Sequence, residues 1–309
     1  MSVRVAVVGV GGCGVNVIKH MAAARLSRMA FIAVDSDPEA LSKSQDSQRI
    51  QIGKTIPRES RMRGDPEVGR TGALEDKALI RNTVVESKVV FVVAGMGGGT
   101  GTGAAPVIAR IARDAGALTI GVITTPFDFE GSRRNLQAKE GLRKFRNAAD
   151  TLVTIPNQRV LSFCTREITL REAFQRSDEV LMDAVRGVSD HLTILGLINL
   201  DLATVRSIMG DMGMASVGSA SARGEKRVAD AVRGAISSPI FEDGSLKHAH
   251  GLVVSVTGGR DLRPYEAIEA VDLIQKGGRF AAKVAFGAIM NESLPADEIR
   301  VTVIAIQTR

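Results

Sequence analysis

The chain has no tryptophan and one tyrosine, and aromatic residues make up only 4% of it. So few flat rings cannot build a surface on which bases stack, which argues against a nucleic-acid partner. Its two cysteines, Cys13 and Cys164, cannot make a disulfide framework, and a reducing compartment is expected. His248 and His250 stand apart from both cysteines, so no metal-ligand set is visible. No segment reaches the ~20 apolar residues that cross a bilayer. The start, Met1-Ser2-Val3-Arg4, lacks the shape of a signal peptide. A cytoplasmic protein is expected. Proline is scarce at 9 residues, whereas glycine is abundant at 32, which asks where the backbone must come close to something else.

With 44% hydrophobic and 24% charged residues, the chain is globular rather than disordered, and 309 residues suit two domains. The charge balance is modestly basic, 40 Lys and Arg against 34 Asp and Glu. It permits an acidic partner or an anionic surface without requiring either. Basic residues gather at 58–63 and 133–146.

Short valine-rich runs at 3–8 and 89–94 read as buried parallel strands, and 31–34, 118–124 and 152–155 as further strands. Helical spacing at 16–26 and 104–114 separates them. Strand and helix alternate, which predicts an α/β fold with a Rossmann-like parallel sheet covered on both faces. One long helix is predicted over 170–195, stopped by Gly196. Beyond it the pattern predicts helices at 203–209, 225–236 and 265–275, and strands at 214–218, 252–257, 281–288 and 299–306. The expected division is a nucleotide domain at 1–170, the joining helix at 171–195, and a smaller α+β domain at 196–309.

The first glycine cluster, Gly9-Val10-Gly11-Gly12-Cys13-Gly14, follows a strand and opens a helix. Glycine there lets backbone amides approach phosphate oxygens. Asp35 closes the second strand about 20 residues later, as in a dinucleotide fingerprint. The second cluster, Gly95-Met96-Gly97-Gly98-Gly99-Thr100-Gly101-Thr102-Gly103, also lies between strand and helix. It makes a concave run of amides and hydroxyls suited to phosphates, without the lysine of a Walker loop. Two phosphate loops on one sheet imply a nucleoside di- or triphosphate held from two sides.

Gly97-Gly98-Gly99-Thr100-Gly101-Thr102-Gly103 resembles the signature of the tubulin/FtsZ superfamily of GTPases, and with Ala104-Ala105-Pro106 that of FtsZ in particular. Pro66-Glu67-Val68-Gly69-Arg70, Pro126-Phe127-Asp128-Phe129-Glu130-Gly131, Thr154-Ile155-Pro156-Asn157 and Ala235-Ile236-Ser237-Ser238-Pro239 extend the resemblance over nearly the whole chain. It implies the tubulin/FtsZ fold, GTP or GDP with Mg²⁺, and self-association into a head-to-tail filament. By resemblance Gly11, Gly12, Cys13, Gly14, Val15 and Asn16 bind phosphates, and Gly97, Gly98, Gly99, Thr100, Gly101 and Thr102 wrap the outer ones. Glu130 and Arg134 match the sugar contacts, Asn157 and Asp178 the readers of the guanine edge, and Phe174 a residue stacked on the base. Catalysis in this family is shared, the loop after the long helix reaching the nucleotide of the next subunit. Here that loop carries Asn199 and Asp201, the implied catalytic pair.

Several positions depart from the family pattern. Thr204 stands where a second aspartate is usual, and Leu202 where a phenylalanine is, so slow hydrolysis is expected. Ser60-Arg61-Met62-Arg63-Gly64-Asp65 replaces a loop usually rich in glycine and alanine, and its arginines read equally as phosphate contacts or as solvated side chains. Cys13 replaces a usual glycine. A thiol at a helix N-terminus can have a lowered pKa, which would make nucleotide binding redox-sensitive, but the favoured reading of Cys13 is a passive small residue. The chain stops at Arg309 without the usual linker and terminal peptide. That suggests a tail-less paralogue, such as those in some magnetosome gene clusters, with no tail-mediated membrane anchor. Two alternatives to a GTPase remain: a GTP-binding structural or copolymer partner of a full-length FtsZ, and a nicotinamide-dependent oxidoreductase resting on the first cluster and Asp35.

Overall fold

The computed structural model describes residues 3–23, 29–61, 63–164, 167–194, 196–210, 213–241, 245–277 and 282–307. It forms two compact units, Val3–Met182 and Asp183–Arg309.

In the first unit six strands pair in parallel: β1 (Val5–Val10), β2 (Met29–Asp35), β3 (Gln48–Gln51), β4 (Val89–Gly95), β5 (Leu118–Thr125) and β6 (Thr151–Pro156). Their order is β3-β2-β1-β4-β5-β6. Every residue of β1 is buried, as valine-rich runs require when helices cover both faces. The helices are α1 (Gly11–Ala23), α2 (Pro66–Glu75), α3 (Lys77–Val84), α4 (Gly99–Asp114) and α5 (Ser132–Arg146). Asp65 caps α2 by accepting from the Glu67 amide, with Pro66 in the first turn, where no amide partner is needed. The sequence of α5 holds six basic residues and one acidic, so most of the surplus positive charge sits on this helix.

The strand order reverses between β1 and β4, and there the crevice at the carboxyl ends is where open α/β sheets bind ligands. Both glycine clusters leave the sheet at this point. Each forms the first turn of a helix rather than a separate loop, because α1 begins at Gly11 and α4 at Gly99. Glycine and threonine are poor helix formers, so packing rather than propensity sets these starts.

The long helix α6 (Leu170–Thr193) runs across the division between the units. In the second unit β7 (Gly213–Arg223), β8 (Gly251–Gly258), β9 (Lys283–Met290) and β10 (Glu298–Gln307) take the order β7-β10-β8-β9. β10 is antiparallel to β7 and β8, while β8 and β9 are parallel. Its longer helices are α7 (Leu202–Met209), α8 (Arg227–Ile236) and α9 (Pro264–Gly277). Its core joins Val228 and Ala235 of α8 with Ile274 of α9 and Leu252, Val254, Val301 and Val303 of the sheet. Arg227 forks onto Glu266 at 2.8 and 2.9 Å, and reaches Asp261 at 2.8 Å and the Ala296 carbonyl at 3.0 Å. This buried charge is fully paired, and it ties α8 to α9 and to the approach to β10.

β3 has no counterpart in the sequence reading, since only Ile50 of its four residues is buried. β7 runs past the expected 214–218 because Ser219-Ala220-Ser221-Ala222 carries no apolar run, yet pairs fully with β10. The expected helix ends at Leu26 and Leu195 and strand start at Ala281 lie outside the described residues.

Candidate functional site

The starts of α1 and α4 lie against each other. A Cβ on Gly11 would sit 2.8 Å from the Gly101 nitrogen, and one on Gly101 2.4 Å from the Gly95 carbonyl oxygen. Such distances to backbone exclude any side chain, so these glycines serve the crossing itself. Gly11 also holds φ +74°. Gly12 and Gly98 differ, for an added Cβ there would meet nothing within 4 Å. Both line a cavity of about 320 Å³. No side chain caps α4, and its cap residue Gly98 lines the cavity, which places the positive partial charge of a helix start beside it.

The cavity is completed by Cys13 and Asn16 of α1, Gly95, Met96, Thr124 and Pro126 after the strands, Glu130, Arg134 and Asn157, and Phe174, Ser177 and Asp178 of α6. Glu130 accepts from the Phe127 amide at 2.9 Å and pairs with Arg134, which fixes both at the rim. Phe127 is buried and stacks on Phe129 with centroids 4.9 Å apart, and it meets Phe174 edge-on at 5.1 Å. That contact braces Phe174, which is 38% exposed and presents an aromatic face to a ligand. Asn157 is 5% exposed, and its Oδ1 is buried without a hydrogen-bond partner. An orphaned buried acceptor is costly, and this one belongs to a residue that lines the cavity.

Burial, with the neighbouring Glu179 charge, raises the Asp178 carboxyl to about 7. Cys13 Sγ lies 3.9 Å from both Thr124 Oγ1 and Asp178 Oδ1. Burial, then the Asp178 charge, pushes this thiol up to about 12, which goes against the redox-sensitive alternative and agrees with the favoured reading of a passive residue. Desolvation outweighs the helix dipole here, so Cys13 is a neutral packing residue.

Of the residues singled out in the sequence, Gly12, Cys13, Asn16, Gly98, Glu130, Arg134, Asn157, Phe174 and Asp178 line one cavity. Gly14 packs on the Val93 carbonyl, and Val15 is buried. Thr102 is buried and accepts from the Gly97 amide at 2.8 Å. Gly99 packs against Gly64. The Thr100 hydroxyl donates to Asp35 at 3.1 Å and bonds Ser36 Oγ at 3.0 Å. Arg61 donates to the Ser36 carbonyl at 2.6 Å, a role outside both sequence readings of it. Sequence reasoning gave no site role to Gly95, Met96, Thr124, Pro126 or Ser177, although Gly95 and Met96 lie in the second glycine cluster. Thr124 and Pro126 were findable, since they lie at the carboxyl end of the strand beside β4.

Asn199 and Asp201 belong to the second unit. Asn199 Oδ1 accepts from the Gly196 amide at 2.7 Å. Asp201 caps α7, one oxygen on the Ala203 amide and the other on the Thr204 amide and hydroxyl, each at 3.1 Å. The two amides and then the hydroxyl hold its carboxyl below the usual carboxylate range. Among the described residues no group of three His, Cys, Asp or Glu could hold a metal, and no helix is long and apolar enough to cross a membrane. A larger depression of about 550 Å³ lies along Glu172, Arg176 and Glu179, but neither glycine loop reaches it.

The family model described as "Tubulin/FtsZ family, GTPase domain" matches residues 4–165, and "FtsZ family, C-terminal domain" matches residues 213–309. An empty FtsZ dimer from M. jannaschii is 35% identical with a TM-score of 0.94, over 99% of this chain and 88% of that one. CetZ2 from Haloferax volcanii, a GTPγS-bound protofilament, shares the fold at 19% identity and a TM-score of 0.78, over 98% of this chain and 93% of that one. CetZ1 from the same organism, a GDP-bound monomer, does so at 21% and 0.80, over 98% and 93%. The chain therefore belongs to the tubulin/FtsZ family of GTPases, with both the GTPase domain and the C-terminal domain of FtsZ.

Proposed function

We propose that this protein binds GTP and, with Mg²⁺, hydrolyses it slowly to GDP and phosphate where successive copies meet head to tail in a filament. The observation that carries the reading is the floor of the 320 Å³ cavity, where Gly12 and Gly98 face open space beside the uncapped start of α4. Only a group that needs close backbone amides uses glycine in that way. Gly12 and Gly98 with the amides of α1 and α4 hold the phosphates. Glu130 and Arg134, already paired at the rim, take the sugar hydroxyls. Phe174 stacks on the base, and Asn157 and Asp178 read its edge. Mg²⁺ neutralises charge on the outer phosphates. Such an ion is bound mainly by phosphate oxygens and water.

Asp201, assisted by Asn199, orients the attacking water on the phosphate bound by the neighbouring copy. Orientation of the nucleophile is the protein's main task in a loose phosphoryl transfer. Here the Asp201 carboxylate is already engaged by two amides and the Thr204 hydroxyl, which weakens it as an acceptor for water. That supports slow turnover, and it is the observation favouring the second reading: a structural filament partner, alone or beside a full-length FtsZ. The nicotinamide reading loses its acidic residue, because Asp35 Oδ1 accepts from the Asp37 amide and the Thr100 hydroxyl, both at 3.1 Å.

Phosphate release and light scattering against protein concentration test the proposal, for wild type and Asp201→Ala. A shared site gives a threshold concentration for both signals, and the variant scatters but does not hydrolyse. Hydrolysis proportional to concentration with no threshold would contradict it.

A further inference from the structure

Asp35, Ser36 and Arg61 stand outside the cavity, yet all three converge on one residue of the second glycine loop. Thr100 lies in the first turn of α4, and its hydroxyl is held between Asp35 Oδ1 at 3.1 Å and Ser36 Oγ at 3.0 Å. Thr100 donates its one proton to Asp35 and so accepts from Ser36; both partners lie at the end of β2, where Asp35 and Ser36 are 4% and 5% exposed. The Asp35 carboxylate is itself fixed, since Oδ1 also accepts from the Asp37 amide at 3.1 Å and the Asp35 carbonyl accepts from the Ile52 amide at 3.0 Å. On the far side Arg61 Nη1 grips the Ser36 carbonyl at 2.6 Å, while its Nε is buried with no partner. The start of α4 is thus tied sideways to β2, and through Ser36 to the segment that carries Arg61.

We infer that Asp35 is a positioning residue: through Thr100 it sets the angle of the first-turn amides of α4, and so the grip on the outermost phosphate of a nucleoside triphosphate. The inference rests on the GTP reading above and deepens it. Thr100 then serves the phosphates through its main chain, because its hydroxyl is spent on the brace. The phosphates nearer the sugar rely instead on the Gly12 end of the cavity, which the brace does not touch. A loosened brace therefore penalises a triphosphate more than a diphosphate. Arg61 supports it from outside by holding the Ser36 carbonyl, and Asp35 acts on the loop directly.

The test compares GTP and GDP dissociation constants for wild type, Asp35→Ala, Asp35→Asn and Arg61→Ala, with thermal unfolding of each. Asp35→Ala should weaken GTP about tenfold while GDP stays within about twofold, the value of one lost hydrogen bond to a charged group. Asp35→Asn keeps an acceptor oxygen for Thr100 and should restore GTP affinity. Arg61→Ala should show a smaller loss of the same kind. An equal loss of GTP and GDP, or no rescue by asparagine, overturns the inference. So does an Asp35→Ala protein that is folded and discriminates like wild type. If wild type binds neither nucleotide, the GTP reading itself falls, an outcome distinct from the others.

Discussion

In the proposed reading, single side chains decide how the nucleotide is read and how fast it is split. Asp178 carries a carboxyl raised to about 7 by burial, with a contribution from Glu179. Guanine offers two N–H donors on its edge, and an ionised carboxylate, with an acceptor oxygen for each, suits them better than the protonated acid. Binding then favours the charged form and lowers this pKa. The sign follows: affinity is highest above about pH 7 and weakens as the pH falls below it, by up to about tenfold per pH unit. Titrating GDP binding between pH 5.5 and pH 8.5 should show this slope, and Asp178→Asn should flatten it at a weaker baseline. A pH-independent wild type would remove Asp178 from base recognition. At the other residue of interest, Thr204→Asp removes the hydroxyl that holds Asp201 and supplies a second carboxylate. The cap on α7 survives through the Ala203 and Thr204 amides, so the cost in stability is at most about 1 kcal/mol. Turnover in the assembled state should rise several-fold, and an unchanged rate would detach the slow-hydrolysis reading from Thr204.

At the level of elements, the two glycine loops contain two kinds of glycine that the sequence cannot tell apart. Gly103 is a packing glycine: its added Cβ would fall 1.8 Å from the Pro66 carbonyl oxygen, where α2 crosses α4. Gly103→Ala must push the helices apart, a loss of about 3 kcal/mol, visible as a lower unfolding midpoint even without nucleotide. Gly12→Ala meets no atom and lies within a helix, so it should keep or raise stability by up to about 1 kcal/mol. Gly98→Ala lies in extended backbone at φ −93° and should also fold normally. Both should lose nucleotide affinity by at least tenfold, because the methyl group occupies phosphate space. Affinity retained in both would place the phosphates elsewhere. The same contrast shows what was legible. β1 and β4 were readable because fully buried strands are plain apolar runs. β3 was not, since an edge strand of Gln48, Arg49, Ile50 and Gln51 has no pattern to show. The first turn of α4 read as a loop because contacts with α2 override its poor propensity. The cavity-lining residues Glu130, Arg134, Asn157, Phe174 and Asp178 came only through family resemblance, because they are far apart in sequence and each is unremarkable alone.

For the molecule as a whole, response to acid is set partly by two neighbours on α6 whose shifts oppose each other. His191 is 2% exposed, its Nε2 bonded to Ser255 Oγ at 2.6 Å, and its ring fills the space above Gly287. Burial lowers its pKa from 6.5 to about 4. The folded state thus resists this proton, and stability falls as the pH drops from 6.5 towards 4, by about 1.4 kcal/mol per unit. Asp190, beside it, is raised from 3.8 to about 6 by burial, which the charges of Arg186 and Arg300 only partly offset. The folded state takes up this proton more readily than the unfolded chain does. Stability therefore rises as the pH falls from 6 towards 4, by a similar amount per unit. Over that window the two contributions cancel, so this part of the second unit should be nearly indifferent to pH. Asp190→Asn removes one side of the balance. The variant should be more stable than wild type near pH 7, where the buried carboxylate is charged, by about 3 kcal/mol at most. Between pH 6 and pH 4 it should lose stability steeply, as the unopposed His191 dictates. Unfolding midpoints measured across that range decide the matter: parallel curves for wild type and variant would show that Asp190 and His191 do not oppose each other.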